Sequence, residues 1–287
     1  MFGSRKVAPH LSLQRSEIIK DVRKKSLRMS VGGAQPKASL AIRNGELEVV
    51  GSGGTYLLKP STEMHPHISE NEHFCMTVAR ESGLEVAECC LITLEGGEFA
   101  FLTKRFDRAK KSKIHLEDFA SVLERPAHEK YSRTYCNIVS AAKKHCRDIG
   151  LERIRIFRLI LLSYVIGNND LHLKNFSLLD QKSFYRLSPA YDIVCSKRYY
   201  PDQQDLALEF EEDYLGSLRS LGYYTSADFL YFSEKIGLRT EQAERFIADI
   251  IAFKSKMLEV LTNSFLPPEE QAEIEGIIER QVKKLAT

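Results

Sequence analysis

Alternating apolar and polar residues occur through the first hundred positions and predict a β-rich region. The segments ASLAI and ELEVV alternate on either side of Asn44-Gly45, a dipeptide typical of a two-residue hairpin turn. The apolar run YLLK and the segments ECCLITL and EFAFLTKRF, which flank Gly96-Gly97, predict further strands. Residues 71–82 have helical spacing instead. We therefore expect an antiparallel meander interrupted by one helix.

The second part of the chain has the pattern of helices. Residues 151–166 are nearly all apolar after the first turn, which is typical of a helix buried on most sides. Two short strand-like runs, FSLLD and YRLSP, follow this segment. Helical periodicity returns over 226–237, 240–263 and 267–285. These patterns predict an α+β fold with a mainly helical second part.

The change of pattern predicts two lobes. We place a small β-rich lobe at residues 1–105 and a larger helical lobe at residues 106–287. A chain of 287 residues is long enough to give both lobes a substantial core. Neither a repeat nor a low-complexity linker separates them.

Composition narrows the class of protein. The chain is 43% hydrophobic and 28% charged, and its formal net charge is +2, without the basic excess of most nucleic-acid binders. Six cysteines lack metal-ligand spacing, and adjacent Cys89 and Cys90 disfavour a disulfide framework, so we expect reduced thiols and a cytoplasmic location. The N-terminus lacks the apolar core of a secretory signal. Export to a host cell without a signal peptide stays open.

One polar segment after the buried helix carries the main chemical signal. Asp170 and Asn175 lie five residues apart before a predicted strand, and Asp192 follows a second one. Phosphoryl transfer needs a carboxylate near the attacking hydroxyl and oxygen ligands that hold Mg²⁺ against phosphates. Kinases provide these with D-x-x-x-x-N and a later Asp. We interpret Asp170 as catalytic and Asn175 and Asp192 as magnesium ligands. Turn capping by Asp170 and Asn175 is the alternative.

The β-rich region contains features that would complete a nucleotide site. The segment SVGGAQPK, residues 30–37, precedes a strand, and its glycine pair would let backbone N–H groups approach phosphate oxygens. Lys59 ends the run YLLK, where a kinase lysine contacts phosphates, and Glu72 on the next helix could pair with it. An ordinary turn, a surface lysine and a solvent-facing glutamate are the alternatives. The order of these features along the chain is that of a bilobal kinase.

Together these motifs resemble the HipA family, the serine/threonine kinases of bacterial toxin–antitoxin systems. Only 29 residues precede Ser30, and this shortness resembles the HipT kinases of three-component HipBST systems. The resemblance implies a fold like that of protein and phosphatidylinositol kinases, with ATP and Mg²⁺ as cofactors. It is carried by six segments: SVGGAQPK (30–37), LKP (58–60), NE (71–72), KRFDR (104–108), NDLHLKNFS (169–177) and SPAYD (188–192).

The resemblance also implies a role for each matching residue. Asp170 would be the catalytic acid or base, with Asn175 and Asp192 on Mg²⁺. Ser30 would be the regulatory autophosphorylation site. The implied contacts with the nucleotide come from Gly32, Gly33, Ala34, Gln35, Lys37, Lys59, Lys104, Phe106, His172, Asn175 and Asp192.

The implied substrate is an aminoacyl-tRNA synthetase, tryptophanyl or glutamyl, whose phosphorylation would inhibit translation. A HipB-like DNA-binding antitoxin and a HipS-like small protein are the implied partners, in the bacterial cytoplasm. We expect no direct nucleic-acid binding and no membrane association. A small-molecule or phosphoinositide kinase with the same catalytic residues is one alternative, and a pseudokinase that docks partners is another.

Overall fold

Two β-sheets and a set of helices form the part of the chain that the computed structural model describes, residues 10–11, 14–18, 35–109 and 112–287. The strands are β1 (His10–Leu11), β2 (Ala38–Arg43), β3 (Glu46–Val49), β4 (Tyr56–Pro60), β5 (Cys89–Leu94), β6 (Phe99–Lys104), β7 (Leu116–Asp118), β8 (Ser177–Asp180) and β9 (Tyr185–Leu187). The helices are α1 (Ile68–Glu81), α2 (Phe119–Val122), α3 (Tyr135–His145), α4 (Ile149–Val165), α5 (Leu218–Leu221), α6 (Ser226–Lys235), α7 (Thr240–Ala252), α8 (Lys254–Thr262) and α9 (Pro268–Leu285).

The larger sheet contains the predicted meander. Within the described residues its order is β1-β5-β6-β4-β2-β3, and each neighbouring pair is antiparallel except β1 with β5. Asn44 and Gly45 have φ angles of 53° and 89°, which give the hairpin a turn whose twist matches its strands. Alternation buries Leu40 and Leu58 on the core face. The predicted strands of this region are confirmed.

Helix α1 packs between this sheet and the helical part of the molecule. It contacts β4, β5 and β6 on one side and α8 on another. Phe74, Met76 and Val78 are buried in the main core. Gly83 then takes a φ of 81°, as expected for the residue that follows a helix. The predicted helix over 71–82 is confirmed and begins three residues earlier.

Helix α4 and the small sheet β7-β8-β9 position the loop that contains Asp170. The Asp148 carboxylate accepts a hydrogen bond from Leu151 N at 3.1 Å and so caps the start of α4. The helix is apolar and largely buried, as its sequence predicts. It ends before Gly167, which has a φ of 72° and leaves no room for a Cβ beside the Ile277 side chain. The loop therefore leaves α4 in one fixed direction.

One predicted helix is wrong in its extent. Residues 240–263 form two helices, α7 and α8, which meet at Phe253. No glycine or proline interrupts the pattern there, so tertiary packing causes the break, with α7 against α6 and α8 against α1. The α+β class is confirmed, whereas the lobe boundary between residues 105 and 106 stays a prediction. Among the described residues, no helix combines the length and apolar character needed to cross a membrane.

Candidate active site

A buried lysine connects the large sheet with the loop that follows β9. Lys59 lies at the end of β4 and is only 4% exposed. Its Nζ lies 2.6 Å from Glu72 Oε1 on α1 and 2.5 Å from Asp192 Oδ1. Lys37, just before β2, places its Nζ 3.5 Å from the other oxygen of Asp192. The structure therefore brings together Lys37, Lys59, Glu72 and Asp192 from four segments.

Burial and neighbouring charges shift the pKa values of Lys59 and Asp192 in opposite directions. Burial would lower the pKa of Lys59, but the carboxylates of Asp192 and Glu72 raise it above its ordinary value. Burial would raise the pKa of Asp192, but the ammonium groups of Lys37 and Lys59 hold it far below its ordinary value. Asp192 is therefore an anion and Lys59 a cation at neutral pH.

Glu72 is the most strongly desolvated member of the cluster. Its side chain is only 1% exposed. Burial raises the pKa of Glu72 to about 7, although the neighbouring Lys59 lowers it in part. Glu72 Oε2 also has no hydrogen-bond partner. The position of this carboxylate thus depends on the single contact with Lys59.

The backbone around Asp192 is fixed by an unusual conformation and by a tyrosine. Asp192 has a φ of 60°, in the left-handed region that few non-glycine residues occupy. The hydroxyl of Tyr191 lies 2.6 Å from Ser177 Oγ and donates to the carbonyl of Lys174 at 2.7 Å. These contacts tie the segment of Asp192 to the loop and strand that follow Asp170.

Polar side chains also hold the loop of Asp170 in place. Asn168 Oδ1 accepts from the backbone N–H of Asp170 at 3.2 Å, and Ser196 Oγ accepts from that of Asn169 at 2.9 Å. Asn175 Oδ1 accepts from the backbone N–H of His172 at 2.9 Å. Local hydrogen bonds therefore fix both Asp170 and Asn175 within the loop.

The Asp170 carboxylate is half-exposed and has three polar neighbours. The hydroxyl of Tyr131 lies 2.5 Å from Oδ1. The Nζ of Lys130 lies 3.8 Å from the same oxygen, and His172 Nε2 lies 3.9 Å from it. Tyr131 and Lys130 have no signal in the sequence, because they lie in an irregular segment about 40 positions before Asp170 and match no motif.

His172 lies against this carboxylate as a neutral ring. Its side chain is 8% exposed and packs edge-to-face against Tyr131, with ring centroids 5.3 Å apart. Burial lowers the pKa of His172 to about 4, although the carboxylates of Asp170 and Asp192 oppose the shift. At neutral pH His172 therefore donates or accepts hydrogen bonds without carrying a charge.

The remaining predicted residues lie at different distances from this cluster. Gln35 Nε2 donates to the carbonyl of Pro60 at 3.1 Å, next to Lys59. The Phe106 ring packs against Tyr191, with centroids 5.6 Å apart. The Lys104 side chain points to Glu88, 3.1 Å from its carboxylate, and the implied role of the Lys104 to Phe106 backbone as an adenine-binding hinge stays a prediction. Ser30, Gly32, Gly33 and Ala34 lie outside the described residues.

The donor set suits a magnesium–nucleotide complex. Among the described residues, no three side chains of His, Cys, Asp or Glu form a metal cage of their own. Mg²⁺ in kinases needs only one or two protein oxygens, since phosphates and waters complete its shell. The Asp192 carboxylate and the Asn175 amide oxygen are ligands of this type. Lysine ammonium groups, such as those of Lys37 and Lys59 beside Asp192, are of the type that binds phosphate oxygens.

Lys59 pairs with Glu72 on a helix and with Asp192, beside the loop that contains Asp170 and Asn175. This arrangement is typical of bilobal kinase-like proteins. The HipA-like C-terminal domain model matches residues 29–257, most of the chain. The chain belongs to this family.

Relatives from bacteria agree with this assignment. A protein of Haemophilus influenzae named "Putative kinase" is 33% identical over 97% of the chain, which spans 87% of that relative. The serine/threonine-protein kinase toxin HipA of Shewanella oneidensis is 26% identical over 65% of the chain. The match spans about half of HipA, 48% of its length.

Solved structures show the same fold. Shewanella oneidensis HipA, in a complex with HipB and operator DNA, matches 89% of the chain and 63% of its own with a TM-score of 0.68 and 22% identity. The Helicobacter pylori proinflammatory kinase CtkA matches 91% of the chain and 92% of its own with a TM-score of 0.59 and 16% identity. These likenesses confirm the bilobal kinase-like fold.

Proposed function

We propose that this chain is an ATP-dependent serine/threonine protein kinase. The observation that carries the proposal is the buried Lys59 ammonium group, in contact with both Glu72 and Asp192. A lysine held by a helix glutamate next to a metal-binding aspartate is the arrangement that active kinases use to hold nucleotide phosphates. The kinase names of the relatives support the same function.

Each residue of the site has a role in this proposal. ATP bound with Mg²⁺ would supply the transferable phosphoryl group and neutralise its charge. Lys59 and Lys37 would hold phosphate oxygens, and Asn175 and Asp192 would hold the metal. Asp170 would orient the acceptor hydroxyl and take its proton. The cleft between the lobes, at 1–105 and 106–287, would hold the nucleotide.

The replacement Asp170→Asn tests the catalytic role. The half-exposed carboxylate can become an amide of the same shape, so the variant should fold and bind MgATP with an unchanged rise in melting temperature. Transfer of label from radioactive ATP to proteins of a dialysed bacterial extract should fall at least a hundred-fold. Asp249→Asn, on the exposed face of α7, is the matched control and should behave as the wild type.

Two outcomes would count against the proposal. Wild-type transfer to a small molecule or a lipid, with no labelled protein, would favour the small-molecule or phosphoinositide kinase. Undiminished transfer by Asp170→Asn would remove that residue from the reaction.

We further propose that the kinase is the toxin of a HipBST-like toxin–antitoxin system. Its substrate would be an aminoacyl-tRNA synthetase, tryptophanyl or glutamyl, and its partners would be a HipB-like antitoxin and a HipS-like protein. The toxin name of the Shewanella relative and its complex with HipB support this proposal. Phosphoproteomes of cells that express the wild type or Asp170→Asn would identify the substrate. If no aminoacyl-tRNA synthetase is phosphorylated only in the cells that express the wild type, the proposed target is refuted.

Ser30 is the proposed site of autophosphorylation. A phosphate there would add nearly two negative charges beside the proposed phosphate loop and weaken ATP binding. Purified protein incubated with MgATP should gain one phosphate on the peptide that contains Ser30. A gain mapped to another residue, or no gain in mass, would exclude this regulation.

A further inference from the structure

The carboxylate of Asp170 is held from one side. The Tyr131 hydroxyl donates to Oδ1 at 2.5 Å, and Lys130 Nζ and His172 Nε2 lie within 4 Å of the same oxygen. Burial and the neighbouring Asp170 carboxylate raise the pKa of Tyr131, so its hydroxyl keeps the proton that it donates. No hydrogen bond reaches Oδ2 from the described residues.

Several contacts fix Tyr131 in this place. The backbone N–H of Leu173 donates to the carbonyl of Lys130 at 3.2 Å, and the hydroxyl of Tyr135 donates to the carbonyl of Leu171 at 3.1 Å. The Lys130 ammonium group lies 4.7 Å from the centre of the Tyr131 ring. The segment 130–135 is thus anchored to the loop of Asp170 on both sides of Tyr131.

We propose that Tyr131 is a positioning residue for phosphoryl transfer and acts through Asp170. Its hydroxyl fixes Oδ1 and thereby presents Oδ2 to the acceptor. In the transfer step the acceptor oxygen bonds to the γ-phosphorus of ATP, the bond to the departing ADP oxygen breaks, and the acceptor proton passes to Oδ2. The inference rests on the proposed kinase function and adds a residue outside the kinase motifs.

A half-exposed carboxylate needs such a contact because it otherwise rotates among several orientations in water. A hydrogen bond to a charged group restricts that rotation, and small errors in the position of a catalytic group reduce the rate strongly. Tyr131 therefore acts on the chemical step through Asp170, and not on the contacts of Lys59 with Glu72 and Asp192.

Tyr131→Phe removes the hydroxyl and keeps the ring against His172. Transfer from radioactive ATP to a dialysed bacterial extract should fall roughly ten- to one-hundred-fold in kcat, the usual effect of losing a hydrogen bond to a charged group. The KM for ATP and the melting temperature should not change. A loss of packing alone would lower the melting temperature and leave kcat near its wild-type value.

Tyr231→Phe is the matched control, because the Tyr231 hydroxyl also donates to a carboxylate, but to that of Glu211 and not to that of Asp170. This variant should keep the wild-type kcat. An unchanged kcat in Tyr131→Phe would overturn the positioning role, and so would a phosphate mapped to Tyr131, which would make the tyrosine an acceptor. A wild type that binds MgATP but labels no protein would refute the kinase function itself.

Discussion

At the scale of single residues, burial and neighbouring charges set the protonation of the site. Asp192 keeps its negative charge because two lysines face it, whereas His172 stays neutral because burial outweighs the nearby carboxylates. Both pKa shifts follow from position, since free residues of these types have pKa values of about 3.9 and about 6.5. Protonation of His172 should make the free energy of unfolding depend on pH.

His172 should make the folded protein sensitive to mild acid. Its pKa is depressed from about 6.5 to about 4, so its contribution to stability is present above pH 6.5 and is lost as the pH falls towards 4. Between pH 7 and pH 5 the wild type should lose roughly 2 kcal/mol of unfolding free energy through this group. His172→Gln should lack that loss. Urea unfolding at both pH values measures the difference.

The exposed His128 provides the control for this measurement. Its side chain is 81% exposed, so His128→Gln should follow the wild-type dependence on pH. Equal dependence on pH in the wild type and in His172→Gln would contradict the buried, neutral ring.

At the scale of elements, helix α1 holds the site together through adjacent residues. Glu72 contacts Lys59 in the large sheet, and Asn71 contacts Cys195 in the segment after Asp192. The Asn71 amide both donates to the carbonyl of Cys195, at 3.2 Å, and accepts from its N–H, at 2.9 Å. One turn of α1 therefore connects the large sheet with the segment that follows Asp192.

Replacement of Asn71 by Ala should destabilise the protein by about 2–3 kcal/mol, because two buried backbone groups of Cys195 would lose their partner. Chemical denaturation measures this loss. Asn263→Ala removes an asparagine from the exposed end of α8, where its amide donates to Glu259, and should cost at most about 0.5 kcal/mol. Similar losses in the two variants would show that the contact with Cys195 contributes little.

At the scale of the whole molecule, the last helix, α9, contacts the start of α1. Glu270 in the first turn of α9 lies 2.7 Å from His67 Nδ1, at the start of α1, and 2.6 Å from Arg198 Nη2. Arg198 also contacts Glu273, with 2.9 Å between Nε and Oε2. Helix α9 thus contacts the start of the helix that contains Glu72.

Arg198→Met should destabilise the protein by about 3 kcal/mol, since it leaves the buried Glu270 with one fewer cation. Arg245→Met is the control, because Arg245 and Asp249 form an exposed pair 3.9 Å apart that should contribute less than about 0.5 kcal/mol. Thermal unfolding of both variants gives the comparison. A small effect of Arg198→Met would mean that the contact between Arg198 and Glu270 contributes little to stability.

Local patterns predicted most elements of this fold. The hairpin at Asn44-Gly45 and the buried helix α4 depend on turn chemistry and on periodicity, which neighbouring residues determine. The pairing of Lys59 with Glu72 also followed from the order of the motifs. These features are visible in the sequence because each one lies within a short stretch of chain or within a known motif.

Long-range packing accounts for what the sequence did not show. The contact between Tyr131 and Asp170 joins two irregular loops, and no periodicity links them. The break at Phe253 arises because α7 and α8 pack against different partners. The left-handed backbone of Asp192 likewise has no sequence signal, since glycine is the usual residue there.

The two lysines at Asp192 have a consequence for the order in which a cation and a nucleotide can enter. The Asp192 carboxylate already has counterions in Lys37 and Lys59, so a free divalent cation would have to compete with both ammonium groups. In the proposed function, a bound triphosphate would offer the lysines other anions and would free the Asp192 carboxylate for the metal. Metal and nucleotide should therefore load as a unit, with Mg²⁺ alone held only weakly.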